Sequence, residues 1–216
     1  MKEEIHIKSD YYELSKRLIE LLGIKLKKDK PGQLVIGIGG ESGSGKSVTA
    51  VCLSQYLKDL GIQNTVLHMD DYFHLPASDN HQNRLKTLDN VGPHEVNLEL
   101  LAAHVDAFRG HEKTEGPVSD FHGNRFISKT LDFSKTQVLL VEGTYTLEIK
   151  NLDKRIFLTR SYNDTLKDRM ARGREGFDPF IESVLEIEHQ IISQYEDIAD
   201  IVIDENFRPF EKQRKL

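Results

Sequence analysis

Residues 34 to 49 read Leu-Val-Ile-Gly-Ile-Gly-Gly-Glu-Ser-Gly-Ser-Gly-Lys-Ser-Val-Thr, and they constrain this chain more than any other stretch. Gly40-x-x-x-x-Gly45-Lys46-Ser47 is a complete Walker A phosphate loop. An apolar, strand-like run precedes it and a helix-like segment follows it. A polyphosphate needs several backbone N–H groups pointing inward, and only small residues let the backbone come that close. Gly40, Gly43 and Gly45 supply that freedom, with Glu41, Ser42, Ser44 and Val48 completing the expected nucleotide cradle. Lys46 sets a positive charge against the terminal phosphates, and Ser47 offers a hydroxyl to Mg²⁺. A chance glycine-rich turn would not carry the whole motif between a strand and a helix.

The remaining pattern says what kind of sheet holds this loop. Apolar runs at Leu34–Ile38, Thr65–Met69, Val138–Val141, Arg155–Thr159 and Ile201–Ile203 read as strands. Helical segments fall between them: Lys46 to Leu60 closed by Gly61, a Leu98/Leu101/Val105/Phe108 stripe ended by Gly110, Tyr162 to Ala171, and Phe180 to Ala199. This alternation predicts an α/β fold: a parallel sheet of about five strands flanked by helices. Residues 73 to 93, with two prolines and several asparagines, read as an irregular surface loop. The polar stretch 111–136 reads as a small β-lobe, its strand pair flanking His122-Gly123-Asn124. The domain is expected to span 31–216, after a helical extension over 1–30. Leu14, Leu18, Leu21 and Leu22 give that extension an apolar face that either packs on the domain or joins two copies, which leaves a homo-oligomer open.

Composition narrows the function classes. The 216 residues carry a net charge of −6, with 38% hydrophobic and 30% charged residues, as in a globular domain with no general affinity for nucleic acid or acidic membranes. Lys25, Lys27, Lys28 and Lys30 read as a solvated helix end. No apolar run approaches the roughly 20 residues of a membrane span, and Met1-Lys-Glu-Glu-Ile-His is not signal-like. A single cysteine, Cys52, forms no intrachain disulfide. A cytoplasmic location is the expectation.

In such sheets ligands gather at the carboxyl ends of the strands. There the second strand delivers Asp70 and Asp71, the third Glu142, and the last Asp204, Glu205 and Asn206. A carboxylate beside the terminal phosphate can orient an acceptor hydroxyl and take its proton. Asp70 lies nearest the strand end and is the expected base, also close to Mg²⁺, while its neighbour caps the turn. Glu142, after four apolar residues, is placed as a Walker B acid that holds Mg²⁺ through water. Arg169, Arg172 and Arg174 sit in a glycine-loosened segment over 169–179 that suits a lid closing on the nucleotide and stabilising charge on the moving phosphoryl group. The nine histidines show no metal-ligand spacing. His68, His104 and His189 read as surface or half-buried, and His122 is placed near a substrate.

Together Gly40-Glu-Ser-Gly-Ser-Gly-Lys-Ser47, Met69-Asp-Asp-Tyr-Phe73, Asp120-Phe121, Val141-Glu-Gly-Thr144 and Arg172-Gly-Arg174 resemble the uridine kinase-like branch of P-loop small-molecule kinases, a group that includes phosphoribulokinase and bacterial-type pantothenate kinase. The resemblance runs from about residue 34 to 206. It implies ATP and Mg²⁺ as cofactors, Asp70 as catalytic base with Lys46, Arg169 and Arg172 in the catalytic set, Arg174 on the phosphates, and Asn206 by the adenine. It also implies an acceptor pocket shaped by Tyr72 and Phe73; Asp120, Phe121, His122 and Arg125 are further candidates for substrate contact. The departures concern the acceptor. Ser119 stands where an aromatic residue usually precedes Asp-Phe, and the ribose-holding Asp-His-Pro stretch reads Val91-Gly-Pro93-His94, with Asp89 as a nearby substitute. The expected activity is phosphoryl transfer from ATP to a hydroxyl of a small molecule, first a nucleoside, with a vitamin-like alcohol or sugar derivative as rival. A phosphorylated acceptor would call on Arg84, Lys86 and Arg125. A nucleotide switch is disfavoured because Asp120-x-x-Gly123 has no Asn-Lys-x-Asp companion. A binding protein without chemistry is disfavoured by the intact Lys46, Ser47, Asp70 and Glu142 set.

Overall fold

The computed structural model describes residues 9–24, 32–166 and 178–212. Strands β1 (Leu34–Gly40), β2 (Asn64–His68), β5 (Val138–Glu142), β6 (Lys154–Leu158), β7 (Ile201–Ile203) and β8 (Pro209–Glu211) form one sheet in the order β2-β5-β1-β6-β7-β8. The first five strands in that order run parallel, and β8 returns antiparallel to β7. That antiparallel edge was not expected, because Pro209-Phe-Glu211 is too short and too polar to show a period.

Side-chain alternation along the buried strands divides the core in two. Val35, Leu139, Val141, Phe157 and Val202 face one layer, which includes α4 (Leu98–Arg109). Ile36, Ile38, Leu140, Ile156 and Ile203 face the other, where α2 (Lys46–Asp59) packs. Helix α1 (Ser9–Leu21) buries Leu14, Leu18, Ile19 and Leu22 in this second layer. Each such side chain contributes roughly 1.5–3 kcal/mol of burial.

Residues 73–93 are more regular than their composition suggests. Helix α3 spans Ala77–Lys86, with single turns at Leu88–Asn90 and Pro93–Glu95. The helix sequence ASDNHQNRLK has no apolar stripe, so period analysis is blind to it. Polar contacts fix it instead, chiefly Asn80 and Arg84 to Glu95. The expected helix over 180–199 is α5 (Pro179–Ile192), capped by the Asp178 carboxylate accepting Phe180 N–H at 2.9 Å and followed by a tighter turn over Ser193–Ile198. Of the helix expected over 162–171, Tyr162–Thr165 are turn residues and 167–171 lie outside the described residues.

The β-lobe is the hairpin of β3 (Lys113–Asp120) and β4 (Arg125–Asp132), with Asp120 opposite Arg125. A lone two-stranded ribbon is marginal in water. This one is anchored at both levels of the site. Ser119 N–H donates to Asp71 at 2.8 Å, and Asn124 Oδ1 accepts Ser78 N–H at 2.9 Å. No helix among the described residues is long and apolar enough to cross a membrane.

Candidate active site

A cavity of about 490 Å³ opens at the carboxyl ends of β1, β2 and β5. Ser42, Gly43, Lys46 and Ser47 line its phosphate end, and Asp70, Glu142 and Thr144 form its centre. Its far end is closed by Phe73, by Asn80 and Arg84 of α3, by Phe121 and Phe126 of the lobe, and by one face of α5.

The loop has the geometry its glycines predict. Gly45 caps α2 at φ 106°, and a Cβ there would meet the Phe207 ring at 3.1 Å. Lys46 Nζ donates to the Glu41 carbonyl at 2.7 Å. Burial pushes the Lys46 ammonium pKa down, against the pull of Glu142 and Asp70. The Glu41 side chain braces the loop. Its carboxylate accepts Tyr162 N–H at 2.6 Å and bonds His189 Nδ1 at 2.7 Å, tying the loop to α5. Val48 is half-buried on the first turn of α2.

Ser47 Oγ donates to Glu142 Oε2 at 3.2 Å, and His68 Nδ1 bonds Glu142 Oε1 at 2.6 Å. That bond raises the His68 pKa against the effect of burial. Ser47, Glu142 and Asp70 present oxygen donors alone, the hard set that suits Mg²⁺. Among the described residues no group of three or more acidic, histidine or cysteine side chains forms a metal cage. Few protein ligands are what Mg²⁺ takes when phosphate and water complete its shell. The Gly40 cradle also fits a phosphate, since a Cβ there would fall 2.9 Å from both Ser44 Oγ and the Leu158 carbonyl oxygen.

The two aspartates at the end of β2 have different surroundings. Asp70 is exposed at the cavity wall. Desolvation, then Glu142, pushes its carboxyl pKa up, while Lys46 pulls it back. Asp71 instead holds the lobe through Ser119 N–H, and Ser119 Oγ donates to the Asp70 carbonyl at 2.8 Å. The close approach of β5 to this turn needs Gly143. At φ 157°, a Cβ on it would lie 2.2 Å from Met69 Cβ.

Several expected acceptor residues stand elsewhere. Tyr72 is 3% exposed and belongs to the core, its hydroxyl bonded to His104 Nδ1 at 2.7 Å. The turn Met69–Tyr72 points it toward α4, and only Phe73 of the pair reaches the cavity. His104 is therefore buried rather than half-buried, and burial lowers its pKa. Asp120 and Arg125 pair with each other at 3.1 Å in the hairpin, and neither is among the cavity-lining residues. His122 is exposed beyond the cavity, whereas Phe121, 67% exposed, lines it. Asp89 is exposed and accepts the Thr87 hydroxyl at 3.1 Å, apart from the cavity lining. Asn206 lies in the turn after β7, beside Phe207, whose ring carries the Arg160 guanidinium at 5.2 Å. Arg169, Arg172 and Arg174 lie outside the described residues.

Sequence reasoning missed Phe126, Asn80 and the α5 face. Ile181, Val184, Leu185 and Glu188 share that face, and Glu188 was the available signal: a charge in register with an apolar stripe.

Comparison with known proteins agrees with this geometry. Residues 35–199 match the family model described as Phosphoribulokinase / Uridine kinase family. The chain is 32% identical over 187 residues to a uridine kinase of Macrococcus caseolyticus, covering 79% of this chain and 87% of that one. It is 27% identical over 197 residues to the bifunctional alpha-galactosidase/sucrose kinase AgaSK of Mediterraneibacter gnavus, covering 83% of this chain and 21% of that one. Among solved structures, a possible uridine kinase from Bacillus stearothermophilus superposes with a TM-score of 0.60 at 24% identity, covering 88% of this chain and 97% of that one. With the family model spanning most of its length, this chain belongs to the phosphoribulokinase/uridine kinase family and is an ATP-dependent kinase.

Proposed function

We propose that this kinase moves the γ-phosphoryl group of ATP to a hydroxyl of a small acceptor, in the first instance a nucleoside such as uridine. One observation carries the reading. The Asp70 carboxylate opens into the cavity between the Lys46/Glu142 end and a separate wall formed by Phe73 and α5. A second molecule bound against that wall would present its hydroxyl to Asp70 with the phosphate loop on the other side. Asp70 orients the hydroxyl and takes its proton as the bond from the hydroxyl oxygen to the γ-phosphorus forms and the bond from that phosphorus to the bridging oxygen breaks, releasing ADP. Lys46 holds the terminal phosphates by charge, and backbone N–H groups at the start of α2 add the field of the helix N-terminus. Ser47, Glu142 and Asp70 would hold Mg²⁺, which supplies charge neutralisation on the phosphates. Arg169, Arg172 and Arg174 are proposed to close over the nucleotide.

A sugar acceptor is the second reading. It draws on the likeness to the sucrose kinase and on the stretch Val91-Gly-Pro93-His94, which lacks the ribose-holding acid of the uridine-type pattern. ADP formation measured with uridine, cytidine, sucrose and fructose tests both. Stimulation by the nucleosides supports the first reading, and stimulation by the sugars alone replaces it with the second. Asp70→Asn should lower kcat roughly 100- to 10,000-fold while ATP binding persists. A kcat close to wild type would remove Asp70 as the base.

A further inference from the structure

The acceptor end of the cavity has an unusual charge arrangement. Arg84 lines it, and a lone arginine there would invite an anionic substrate. This arginine is already engaged. Its Nε and Nη2 donate to Glu95 Oε1 and Oε2 at 2.6 and 2.7 Å, and Nη2 also donates to Glu188 Oε1 at 3.0 Å. Glu95 is filled as well, accepting Asn80 Nδ2 and Gly92 N–H, each at 2.9 Å. Glu188 differs. It lies in the cavity wall, and its hydrogen bond to Arg84 runs through Oε1. A carboxylate in a cavity wall can accept a hydroxyl of a bound molecule through the oxygen that its arginine does not hold. Lys86 and Arg125, the other cations considered for an anionic acceptor, are exposed and outside the lining.

We propose that Glu188 is a specificity-determining residue that accepts a hydroxyl of the acceptor through Oε2, and that the acceptor is a neutral, polyhydroxylated molecule with one apolar face: a sugar ring or a nucleoside, not a phosphorylated or carboxylated compound. Asn80 stands beside it in the same wall. Ile181, Val184 and Leu185, one and two turns before Glu188 on α5, line the wall with Phe73, Phe121 and Phe126, and such surfaces hold a ring face. Against an anion the same carboxylate acts as a repulsive element. Two like charges about 5 Å apart, at an effective dielectric near 20, discriminate by on the order of 100-fold. Arg84 orients Glu188 and favours its ionised form against the effect of burial, so its role toward the acceptor is indirect.

This inference rests on the kinase reading of the cavity, and the experiment separates the two. Neutral sugars and nucleosides are each paired with a phosphate or carboxylate counterpart that retains a free hydroxyl. ADP formation is then measured for wild type and Glu188→Gln. In wild type the neutral member of a pair should exceed its anionic counterpart in kcat/KM by about 100-fold. In Glu188→Gln that ratio should narrow at least tenfold, through the acceptor KM rather than kcat, a change that a purely structural role would not make. Preference for the anionic member, which wild type alone reveals if the variant does not fold, overturns the inference while leaving the kinase reading standing. An unchanged ratio in Glu188→Gln also overturns it. If no member of any pair raises ADP formation above hydrolysis, the kinase reading of the cavity falls and the inference falls with it.

Discussion

Replacing Arg84 with methionine keeps an apolar stem of similar length and removes the guanidinium shared by Glu95 and Glu188. The side chains involved are 16%, 3% and 11% exposed, which places the cluster among buried ion pairs rather than surface ones. Removing one partner of a buried pair costs about 3–5 kcal/mol, because the remaining charge is stranded. Glu95 would keep its bonds from Asn80 and Gly92 N–H, while Glu188 would lose its one side-chain hydrogen bond among the described residues. In a domain of this size each kcal/mol moves Tm by about 2–4 °C, so a drop of about 6–20 °C is expected by circular dichroism. The pH dependence has a definite sign. Burial already pushes the Glu188 pKa up and Arg84 pulls it back, so the variant raises it further. A carboxyl with a raised folded-state pKa binds protons more readily folded than unfolded, and its destabilisation grows as pH rises through that window. The Tm deficit should therefore shrink from about pH 8 to about pH 5. A Tm within about 2 °C of wild type, or a deficit that grows on acidification, would refute the assignment of this cluster as a buried ion network.

Other consequences are local to the catalytic turn. Gly143→Ala drives a Cβ into Met69, the residue before Asp70, and should cost about 1–3 kcal/mol in urea unfolding together with a fall in kcat. Asp71→Ala removes the acceptor for Ser119 N–H and should raise the acceptor KM roughly 5- to 30-fold with little change in the KM for ATP, read from initial rates. Chelation of divalent cations should abolish turnover, and Glu142→Gln should raise the Mg²⁺ concentration needed for half-maximal rate by about tenfold in a titration. Lys46→Ala should abolish turnover altogether.

How far the sequence reveals this molecule depends on the range of the signal. The five parallel strands and their phosphate loop are legible because each is a short apolar run or a contiguous motif, as in Val138–Glu142 and Gly40–Ser47. Helix α3 is not, because its stability comes from Asn80 and Arg84 reaching Glu95 across the chain, which no periodicity encodes. The far wall of the cavity fails for the same reason. Glu188 meets Arg84 from 104 residues away, and on α5 alone it reads as a charge bordering a core stripe. Tyr72 shows the converse error. Its place in the motif suggests a pocket residue, yet its partner is His104, 32 residues on.

The most direct measurement follows the fate of the phosphoryl group itself. With γ-labelled ATP and a neutral hydroxylated acceptor, the account predicts that the label appears on the acceptor, and that Asp70→Asn slows its arrival roughly 100- to 10,000-fold. Label released as inorganic phosphate at a rate indifferent to both the acceptor and Asp70 would contradict it.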